Sequence, residues 1–585
     1  MCGLAGVMTR DGSAPDARLA EKLIAGIAHR GPDGRGVLSR GDTVLIHTRL
    51  SIVDLVTGDQ PLVTPAGTAL VANAEIYNDP DLRAAMAGTP FRTRSDCEPA
   101  VFLAEADGAG FADRLRGMYA LAVHDPARGR LLLARDPFGI KPLYFVETAK
   151  LFAFASEPRA LLAAGFGRRM AQTQRLAELL QLKFTTGRET IYPDIQRVLP
   201  GETLVVERGV VVERRRRAAL PAGRPVRRGA AEARRTLDAV LLDSVAAHLR
   251  ADVPYGLFLS GGIDSAALLA LMRRAGGGRV DALTVGWEGG DEADESREAE
   301  RLARIMGADC HRITMTSRDF WELAPCVAAS LDDPTADAAV LPSWMLGRAA
   351  HAAGLKVALC GEGADELFGG YSRYRKRRAP WRWVARRPRS EGVFGDPATL
   401  PHWRDGIAAA EAVAGPGRSA LQAAQAVDIA EWLPNDLLTK LDRTLMVHGV
   451  EGRTPFLDPE VAGFAFRLPD GLKAGRRFGK VLLRDWLAEA FPQAGAYAKK
   501  QGFKPPVGAW IGARATELGQ LVATHPVIRG ALPQMEVMAA FNRAAAEAQP
   551  AWSLLFTALW YGHHVLGVPA DRDIGTALRE GMRRG

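Results

Sequence analysis

Cysteine is scarce in this sequence, which has only five among its 585 residues. Cys2, Cys97, Cys310, Cys326 and Cys360 are scattered and odd in number, and no two of them have the Cys-x-x-Cys spacing. This pattern argues against both a disulfide framework and a zinc site. It predicts a protein of the reducing cytoplasm.

Long hydrophobic runs are also missing. The first residues contain no basic segment, and Asp11 interrupts their apolar stretch, so no signal peptide is predicted. A late apolar stretch, 552–566, is interrupted by Tyr561, His563 and His564 and is too short to cross a bilayer. It predicts a buried helix, and we expect no membrane partner.

Aromatic residues make up only 7% of the chain and rarely accompany its arginines. The net charge of +8 includes clusters at 214–217 and 373–389, and Trp381 and Trp383 are the tryptophans within them. Nucleic-acid binding needs positive charge together with stacking surfaces, so solvated surface arginine is the better interpretation. We expect no nucleic-acid partner.

What the sequence does contain is a change of pattern near its middle. The length predicts about two to four compact units. Residues 1–205 alternate helical patterns with short β-type runs. The β-type runs are 43–47, 68–73, 119–124 and 131–134, and the helical patterns are 81–87 and 98–106. Residues 206–229, rich in Arg, Pro and Gly, are interpreted as a linker.

Residues 230–585 have the pattern of an α/β unit. Helical spacing at 230–248 is followed by an apolar strand at 256–259 and a helix at 263–274. Further strands are predicted at 280–285 and 356–360, which favours a parallel sheet. From Leu421 onward the pattern is mostly helical.

Cys2 is placed to act as an N-terminal nucleophile. A small second residue allows removal of Met1, which leaves a thiol and a free α-amine on one residue. Because their ordinary pKa values lie near 8.5 and 8, the amine can serve as the base for the thiol. The alternative is that Met1 stays and Cys2 is a small buried residue.

The segment Ser260-Gly261-Gly262-Ile263-Asp264-Ser265 joins a predicted buried strand to a predicted helix. Free N–H groups at such a junction and the helix dipole favour a phosphate-sized anion. The loop lacks the lysine of a Walker A motif, which points away from kinase chemistry. The alternative is an ordinary strand-to-helix turn.

Two carboxylates, Asp264 and Asp365, both follow predicted strands. A parallel sheet would bring them to the same edge, where they could hold a Mg²⁺ ion that bridges phosphate oxygens. The alternative for Asp365 is a helix-capping role.

Motifs in residues 1 to about 160 resemble the class II glutamine amidotransferase domain of asparagine synthetases. The matching segments are 1–3 (MCG), 29–34 (HRGPDG), 49–53 (RLSIV), 73–78 (NAEIYN), 95–96 (SD) and 135–139 (RDPFG). The resemblance implies an N-terminal nucleophile fold, an αββα sandwich, and a Cys2 nucleophile.

The same resemblance implies a glutamine site. Arg49 would bind the α-carboxylate, a task suited to a guanidinium fork, and Glu75 and Asp96 would hold the α-ammonium. The remaining contacts would come from Leu50, Ser51, Ile52, Val53, Asn73 and Ala74. Asn73 and the backbone N–H of Ala74 would stabilise the oxyanion. Since glycine is usual at the second position, Ala74 would cost about 1 kcal/mol if the backbone needs a positive φ.

Residues of about 230–510 resemble the synthetase domain of the same family, which implies a doubly wound ATP pyrophosphatase fold with a helical C-terminal part. The matching segments are 260–265, 360–371, 441–443 (LDR), 451–458 (EGRTPFLD), 479–480 (GK), 483–484 (LR) and 499–503 (KKQGF). The expected fold class is therefore α/β and α+β.

The resemblance also implies roles around ATP. The nucleotide contacts would be Leu259, Ser260, Gly261, Gly262, Asp264, Ser265, Val285, Cys360 and Gly361. Glu362 would assist formation of the acyl-adenylate and accept a proton from ammonia. Lys480 would neutralise phosphate charge, and Asp264 and Asp365 would bind Mg²⁺.

Together these implications describe a ligase that transfers glutamine nitrogen to a carboxylate with cleavage of ATP to AMP and pyrophosphate. Aspartate is the acceptor that the family implies, and a homodimer is compatible with the resemblance. Two departures bear on this: Cys360 replaces a more usual serine, and 333–338 lacks the Thr-rich, Arg-containing form of some members. The alternatives are a different carboxylate acceptor, such as a peptide, a sugar acid or a secondary metabolite, and a catalytically silent homologue.

Overall fold

A computed structural model describes residues 2–276, 278–289, 294–377, 392–395, 400–498 and 505–585. Three sheets organise these residues. The strands are β1 (Gly3–Thr9), β2 (Gly34–Arg40), β3 (Thr43–Arg49), β4 (Leu62–Val63), β5 (Ala69–Ile76), β6 (Gly117–Asp125), β7 (Arg130–Arg135), β8 (Tyr144–Glu147), β9 (Leu151–Ala155), β10 (Gln196–Arg197), β11 (Glu202–Glu207), β12 (Val210–Arg216), β13 (Tyr255–Phe258), β14 (Asp281–Trp287), β15 (Asp309–Met315), β16 (Val357–Leu359) and β17 (Glu451–Arg453).

Helices cover the sheets and fill most of the C-terminal part. They are α1 (Ala17–Ile27), α2 (Asp79–Ala85), α3 (Glu98–Asp107), α4 (Pro158–Ala163), α5 (Thr173–Leu182), α6 (Ala230–His248), α7 (Ile263–Gly276), α8 (Ser296–Met306), α9 (Ser317–Ser330), α10 (Val340–Ala352), α11 (Ala364–Phe368), α12 (Ser372–Arg377), α13 (Asp405–Ala414), α14 (Ala420–Val427), α15 (Thr439–Met446), α16 (Pro459–Phe466), α17 (Asp470–Lys473), α18 (Val481–Ala490), α19 (Val507–Gly512), α20 (Ala515–Thr524), α21 (Pro526–Arg529), α22 (Gln534–Asn542), α23 (Ala548–His564) and α24 (Ile574–Arg584). Short 3₁₀ segments occupy Ala28–Arg30, Gly108–Arg114, Pro455–Leu457 and Pro492–Ala494, and a π-helical segment spans Asp428–Leu438.

The first two sheets are antiparallel and stack face to face. Their orders are β10-β8-β9-β1-β3-β2 and β12-β11-β7-β6-β5-β4. Side chains alternate along β1, so Leu4 and Met8 enter the core between the sheets while Ala5 and Val7 pack toward α1. The second sheet buries its other face against α3. The predicted αββα sandwich is therefore confirmed, and the strands and helices predicted within it lie where the periodicity placed them.

The third sheet is parallel throughout, with the order β15-β14-β13-β16-β17. The order reverses between β13 and β16, and ligands of doubly wound sheets bind at the carboxyl ends of the strands at such a point. The predicted parallel α/β unit and its mostly helical continuation are confirmed.

The segment 206–229 differs from the predicted linker in its first half. Strand β12 pairs antiparallel with β11, from Glu202 opposite Arg216 to Glu207 opposite Val210. The predicted boundary at residue 205 therefore falls inside a hairpin of the second sheet. The arginines of β12 lie on an exposed edge strand, where charge is common, and this composition also resembles a linker.

The apolar stretch near the C-terminus forms α23, as predicted. Its Trp552 and Trp560 are fully buried. Among the described residues, no helix has the length and hydropathy needed to cross a bilayer.

Candidate active site

Cys2 lies at the start of β1, beside the end of β3. Gly3 pairs with Thr48, so the antiparallel register brings Cys2 next to Arg49. The Cys2 backbone nitrogen donates to Asn73 Oδ1 at 3.1 Å, and Sγ lies 3.9 Å from the Leu50 carbonyl. Burial raises the pKa of the Cys2 thiol. The Asn73 side chain thus orients the backbone nitrogen of the predicted nucleophile, and the Cys2 thiol needs a base to ionise.

Asn73 is fully buried in β5, and its two amide atoms differ in their contacts. Oδ1 accepts from Cys2, whereas Nδ2 has no hydrogen-bond partner among the described residues. A buried donor without a partner costs about 1–3 kcal/mol, so such a group is expected to meet a ligand. This is the geometry expected of an oxyanion donor beside a nucleophile.

Ala74 occupies the extended middle of β5, opposite Tyr119. The φ angle of Ala74 is not positive. The strain considered from the sequence therefore does not arise, because an extended backbone accepts alanine without cost.

Two buried carboxylates, those of Glu75 and Asp96, lie near each other. Asp96 accepts from the Ile76 N–H at 2.6 Å, and burial raises the pKa of Asp96 to about 6. Burial also raises the pKa of Glu75, and the Asp96 charge raises it further. Such a pair favours a cation, as expected for the α-ammonium of an amino acid.

The Arg49 guanidinium faces the loop that follows β3. Nη1 pairs with Asp59 at 2.7 Å, and Nη2 donates to the Asp54 carbonyl at 2.5 Å. The Arg49 side chain is buried, while that of Asp59 is 81% exposed. Arg49 therefore already binds one carboxylate, on a loop from which a substrate carboxylate could displace it.

The remaining predicted residues, 50–53, follow Arg49 directly in the chain, and the Leu50 carbonyl lies beside Cys2. Leu50 and Ile52 are buried, Ser51 donates its N–H to Asp33 at 2.8 Å, and the Val53 carbonyl lies 3.5 Å from Arg49. The structure thus places Arg49, Leu50 and Asn73 beside Cys2, and Ala74 and Glu75 follow Asn73 on β5.

Arg30 connects this site to the parallel-sheet part of the chain. Its Nε donates to the Cys2 carbonyl at 3.2 Å, and its other nitrogens bind both carboxylate oxygens of Asp442 at 2.7 and 2.9 Å. Glu157 accepts a further bond at 2.7 Å. Both Arg30 and Asp442 lie in motifs quoted from the sequence, but a linear motif does not reveal its partner.

Arg453, at the end of β17, makes a second connection. Its guanidinium pairs with Glu75 at 2.9 Å and with Glu451 at 2.6 Å, and it donates to the His248 carbonyl at 2.7 Å. The Arg453 carbonyl accepts from the Cys360 N–H at 2.8 Å. Glu75 is therefore bound by an arginine whose backbone touches the predicted ATP site, and no signal along the chain predicts this pairing.

The loop 260–265 closes on itself through its serines. Ser265 Oγ lies 3.0 Å from Ser260 Oγ and accepts the Ser260 N–H at 3.1 Å. Gly262 donates its N–H to Ser260 Oγ at 3.2 Å. The loop leads directly into α7, so its N–H groups lie at a helix N-terminus, as predicted for an anion site.

Asp264, Asp365 and Lys480 meet at this loop. The Lys480 ammonium lies 2.5 Å from Asp264 Oδ2 and 2.7 Å from Asp365 Oδ1. Asp264 Oδ1 is buried without a hydrogen-bond partner among the described residues. Two carboxylates around one cation, with a further unsatisfied oxygen, form a donor set that suits Mg²⁺ together with phosphate oxygens.

Lys480 has a strained backbone. Its φ of 55° lies in the left-handed region, and it immediately precedes α18. Its N–H donates to the Phe368 carbonyl at 3.2 Å. Such strain costs about 1–3 kcal/mol and persists where the surrounding structure holds it, often at functional sites.

A cavity of about 340 Å³ opens beside these groups. Its walls include Gly261, Gly262, Asp264, Asp365, Lys480 and Arg484. Arg484 belongs to a quoted motif but was not predicted as a site residue, and it adds positive charge to the wall of this cavity.

The remaining predicted ATP residues surround the carboxyl ends of the parallel strands. Leu259 follows β13, Val285 lies near the end of β14, and Cys360 and Gly361 follow β16. Leu259, Val285 and Cys360 are buried. The segment 499–503, also quoted for the resemblance, lies outside the described residues, as do Trp381 and Trp383.

Glu362 stands next to this cluster. Burial raises the pKa of the Glu362 carboxyl, and the Asp264 and Asp365 charges raise it further, while the Lys440 ammonium opposes them. A carboxylate with a raised pKa is suited to accept a proton.

Lys440 belongs to a second charged group near Glu362. Its ammonium pairs with Asp337 at 3.1 Å. Asp436 accepts from Trp432 Nε1 at 2.5 Å and from the Thr335 hydroxyl. One buried cation, Lys440, thus lies among the carboxylates of Asp337, Asp436 and Glu362.

Asp333 lies in the stretch 333–338, which lacks the Thr-rich, Arg-containing form of some family members. Its carboxylate makes contacts within the protein. Arg197 donates to both of its oxygens at 2.9 and 2.8 Å, and the Tyr144 hydroxyl donates at 2.8 Å. Asp333 therefore joins the parallel-sheet part to the first antiparallel sheet.

Comparison with known proteins agrees with this arrangement. A family described as "Asparagine synthase" matches residues 236–562, and one described as "Glutamine amidotransferase domain" matches residues 1–216. A Mycobacterium bovis protein named "Putative asparagine synthetase (glutamine-hydrolyzing)" is 33% identical, with 88% of this chain and 89% of that protein covered.

Two further relatives carry different names. Asparagine synthetase B of Escherichia coli is 29% identical, with 87% of this chain and 83% of that protein covered. "Amidase chyE" of Penicillium rubens is 30% identical, with 64% of this chain and 60% of that protein covered.

Proposed function

Because this chain belongs to the asparagine synthase family, we propose that it releases ammonia from glutamine at Cys2 and uses ATP to fix that ammonia onto a carboxylate as an amide. The observation that carries the proposal is the bond from the Cys2 nitrogen to Asn73, whose Nδ2 is buried without a partner among the described residues.

The first step is attack of the Cys2 thiolate on the side-chain amide carbon of glutamine. The α-amine freed by removal of Met1 takes the thiol proton and returns it to the leaving ammonia. Asn73 Nδ2 stabilises the oxyanion. Water then hydrolyses the thioester, which releases glutamate and restores the thiol.

The second step activates the acceptor. A carboxylate oxygen attacks the α-phosphorus of ATP, pyrophosphate departs, and an acyl-adenylate remains. Asp264 and Asp365 would hold Mg²⁺, which neutralises the phosphate charge when it is bound. Lys480 supplies a further positive charge. Ammonia then displaces AMP, and Glu362 accepts its proton.

The proposed acceptor is aspartate. The support is the group formed by Lys440, Asp337 and Asp436, which offers both a cation and anions near Glu362. An amino acid carries an ammonium and a carboxylate that such alternating charges can bind. The second candidate, a different carboxylate, is favoured by the use of Asp333 as an internal contact.

The test supplies the purified chain with glutamine, Mg·ATP and aspartate, and measures asparagine, glutamate, AMP and pyrophosphate. The proposal predicts equal amounts of all four. A panel of other acids, assayed by pyrophosphate release, separates the two acceptors. Absence of pyrophosphate release with every acid would contradict amide synthesis.

A further inference from the structure

Helix α11 carries Asp365 but is too short to fix its own position. It has five residues, so most of its carbonyl groups lack partners within the helix. Asp365 lies in its first turn and contacts Lys480 at 2.7 Å. The position of Asp365 therefore depends on what binds the other end of the helix.

The last three carbonyl groups of α11 are bound from outside. Gln425 Nε2 donates to the Glu366 carbonyl at 2.6 Å and to the Leu367 carbonyl at 2.9 Å. The Phe368 carbonyl accepts the Lys480 N–H at 3.2 Å. Gln425 thus satisfies two carbonyls with one amide, and it is fully buried in α14.

The other amide atom of Gln425 reaches the segment that leads to Lys480. Its Oε1 accepts from Lys473 Nζ at 2.9 Å, and Lys473 also donates to the Phe466 carbonyl at 3.2 Å. Lys473 is fully buried at the end of α17. The orientation of the amide is fixed by chemistry, since only NH₂ can donate to carbonyls and only the oxygen can accept from an ammonium.

Lys473 and Lys480 are joined by a tight connection. Ala474 forms an isolated antiparallel bridge with Gly479, and the Gly475 N–H donates to the Phe478 carbonyl at 2.8 Å. A Cβ at Gly479 would lie 2.4 Å from the Gly369 carbonyl oxygen, so this connection packs directly on the end of α11. Movement of Lys473 is therefore transmitted to Lys480 over a short, stiff path.

We propose that Gln425 and Lys473 form a clamp that positions Asp365 and Lys480 relative to each other, and so sets the affinity for the metal-bound triphosphate. This rests on the proposed function of the phosphate site. Gln425 and Lys473 are positioning residues, because they act through α11 and through the connection to Lys480.

The test uses the full chain and measures the dissociation constant of Mg·ATP by calorimetry, so it does not depend on the acceptor. Gln425→Met keeps the size of the side chain and removes all three hydrogen bonds. We expect the dissociation constant to rise about tenfold. This is the change expected when binding loses the net free energy of about one hydrogen bond. Glutaminase kcat/KM should stay within twofold, because Cys2 and Asn73 are untouched.

Gln425→Met leaves the Lys473 ammonium without one acceptor, which by itself could destabilise the fold. The double variant Gln425→Met, Lys473→Met removes both partners, a change that is often nearly neutral for stability. We expect it to show the same weakened Mg·ATP binding with intact glutaminase activity.

Gln422→Met is the matched control. Gln422 is equally buried on α14, donates to the Phe466 carbonyl at 3.0 Å, an acceptor that it shares with Lys473, and accepts the Ser419 N–H. Among the described residues it makes no hydrogen bond to α11. Its Mg·ATP affinity should match that of the wild type. An equal loss in Gln422→Met, or unchanged Mg·ATP binding in both Gln425 variants, would overturn the clamp. A wild type that binds no Mg·ATP would overturn the clamp together with the synthetase half of the proposed function.

Discussion

At the scale of one residue, the two amide atoms of Asn73 have different roles in the proposed site. Its oxygen binds the Cys2 nitrogen, and its NH₂ group is left for the substrate. Asn73→Asp keeps the acceptor and removes the donor. We expect glutaminase kcat to fall about 10²- to 10³-fold, the usual effect of losing one oxyanion donor. A steady-state glutaminase assay measures this, and a loss under threefold would contradict the role.

The residue beside it gives a prediction about stability. Ala74 is extended in β5, so glycine would relieve no strain and would only increase the freedom of the unfolded chain. We expect Ala74→Gly to lower the free energy of unfolding by about 0.5–1 kcal/mol. Denaturant titration provides the measurement, and a stabilised variant would show that the backbone is strained after all.

Asp96 predicts a pH dependence of glutamine binding. The carboxylate binds the α-ammonium when ionised, and its pKa of about 6 lies above the usual value. Binding to the inactive Cys2→Ala variant should therefore weaken as pH falls through 6, by about tenfold per pH unit below it. Calorimetry between pH 5 and 7 tests this. Asp96→Asn in the same variant should bind weakly and with less dependence on pH, and a flat profile for Cys2→Ala itself would exclude Asp96 from the ammonium site.

At this scale the sequence identified the residues but not their contacts. The chemistry of an N-terminal thiol predicts the role of Cys2, whereas the roles of Asn73, Asp96 and Lys480 are predicted by the resemblance of their motifs to a known family. The pairing of Glu75 with Arg453 could not be predicted, since it joins distant segments through folding. The concern about Ala74 came from residue type alone, and the φ angle that decides it is set by the pairing of β5 with β6.

At the scale of elements, periodicity explains most of what was predicted. Strands and helices with strong alternation or helical spacing were recognised, whereas β12 was missed because its exposed arginines resemble a linker. Helix α11 is short and has no pattern of its own. Its place is set by Gln425 and Lys473, neither of which belongs to a motif quoted from the sequence.

His525 gives a testable property of the C-terminal helices. It lies between α20 and α21 and packs against Gly581 of α24, fully buried, and neither ring nitrogen has a partner in the described chain. Burial lowers the pKa of His525 to about 4. The unfolded chain therefore binds more protons below pH 6.5, so stability falls as pH decreases through that value.

His525→Phe should remove this pH dependence of stability, because phenylalanine fills a similar volume and has no group that titrates. Between pH 8 and pH 5 the variant should lose about 2 kcal/mol less unfolding free energy than the wild type. Denaturation at both pH values measures the difference. The exposed His351, changed to Phe, is the control, and an equal effect there would assign the pH dependence to other groups.

At the scale of the whole molecule, buried ion pairs join the two antiparallel sheets to the parallel sheet. Arg30 binds Asp442, Arg197 binds Asp333, and Arg453 binds Glu75. Removing one partner of a buried pair leaves an uncompensated charge and costs about 3–5 kcal/mol. These pairs would hold the proposed glutamine site and the proposed phosphate site in a fixed relation, which internal transfer of ammonia would require.

The family explains why that relation matters. Free ammonia is mostly protonated at neutral pH and cannot attack an acyl-adenylate, so delivery within one chain gives the reaction its nucleophile. The central claim is that the nitrogen released at Cys2 is the nitrogen that enters the amide.

Glutamine labelled with ¹⁵N in its side-chain amide tests this claim most directly. The reaction is run with Mg·ATP, the acceptor and unlabelled ammonium at a concentration equal to that of glutamine, and the amide product is analysed by mass spectrometry. Internal transfer predicts that most of the product carries ¹⁵N, and that Cys2→Ala gives only unlabelled product, made from the added ammonium. A wild-type product whose label is diluted to that of the bulk ammonium would contradict the account.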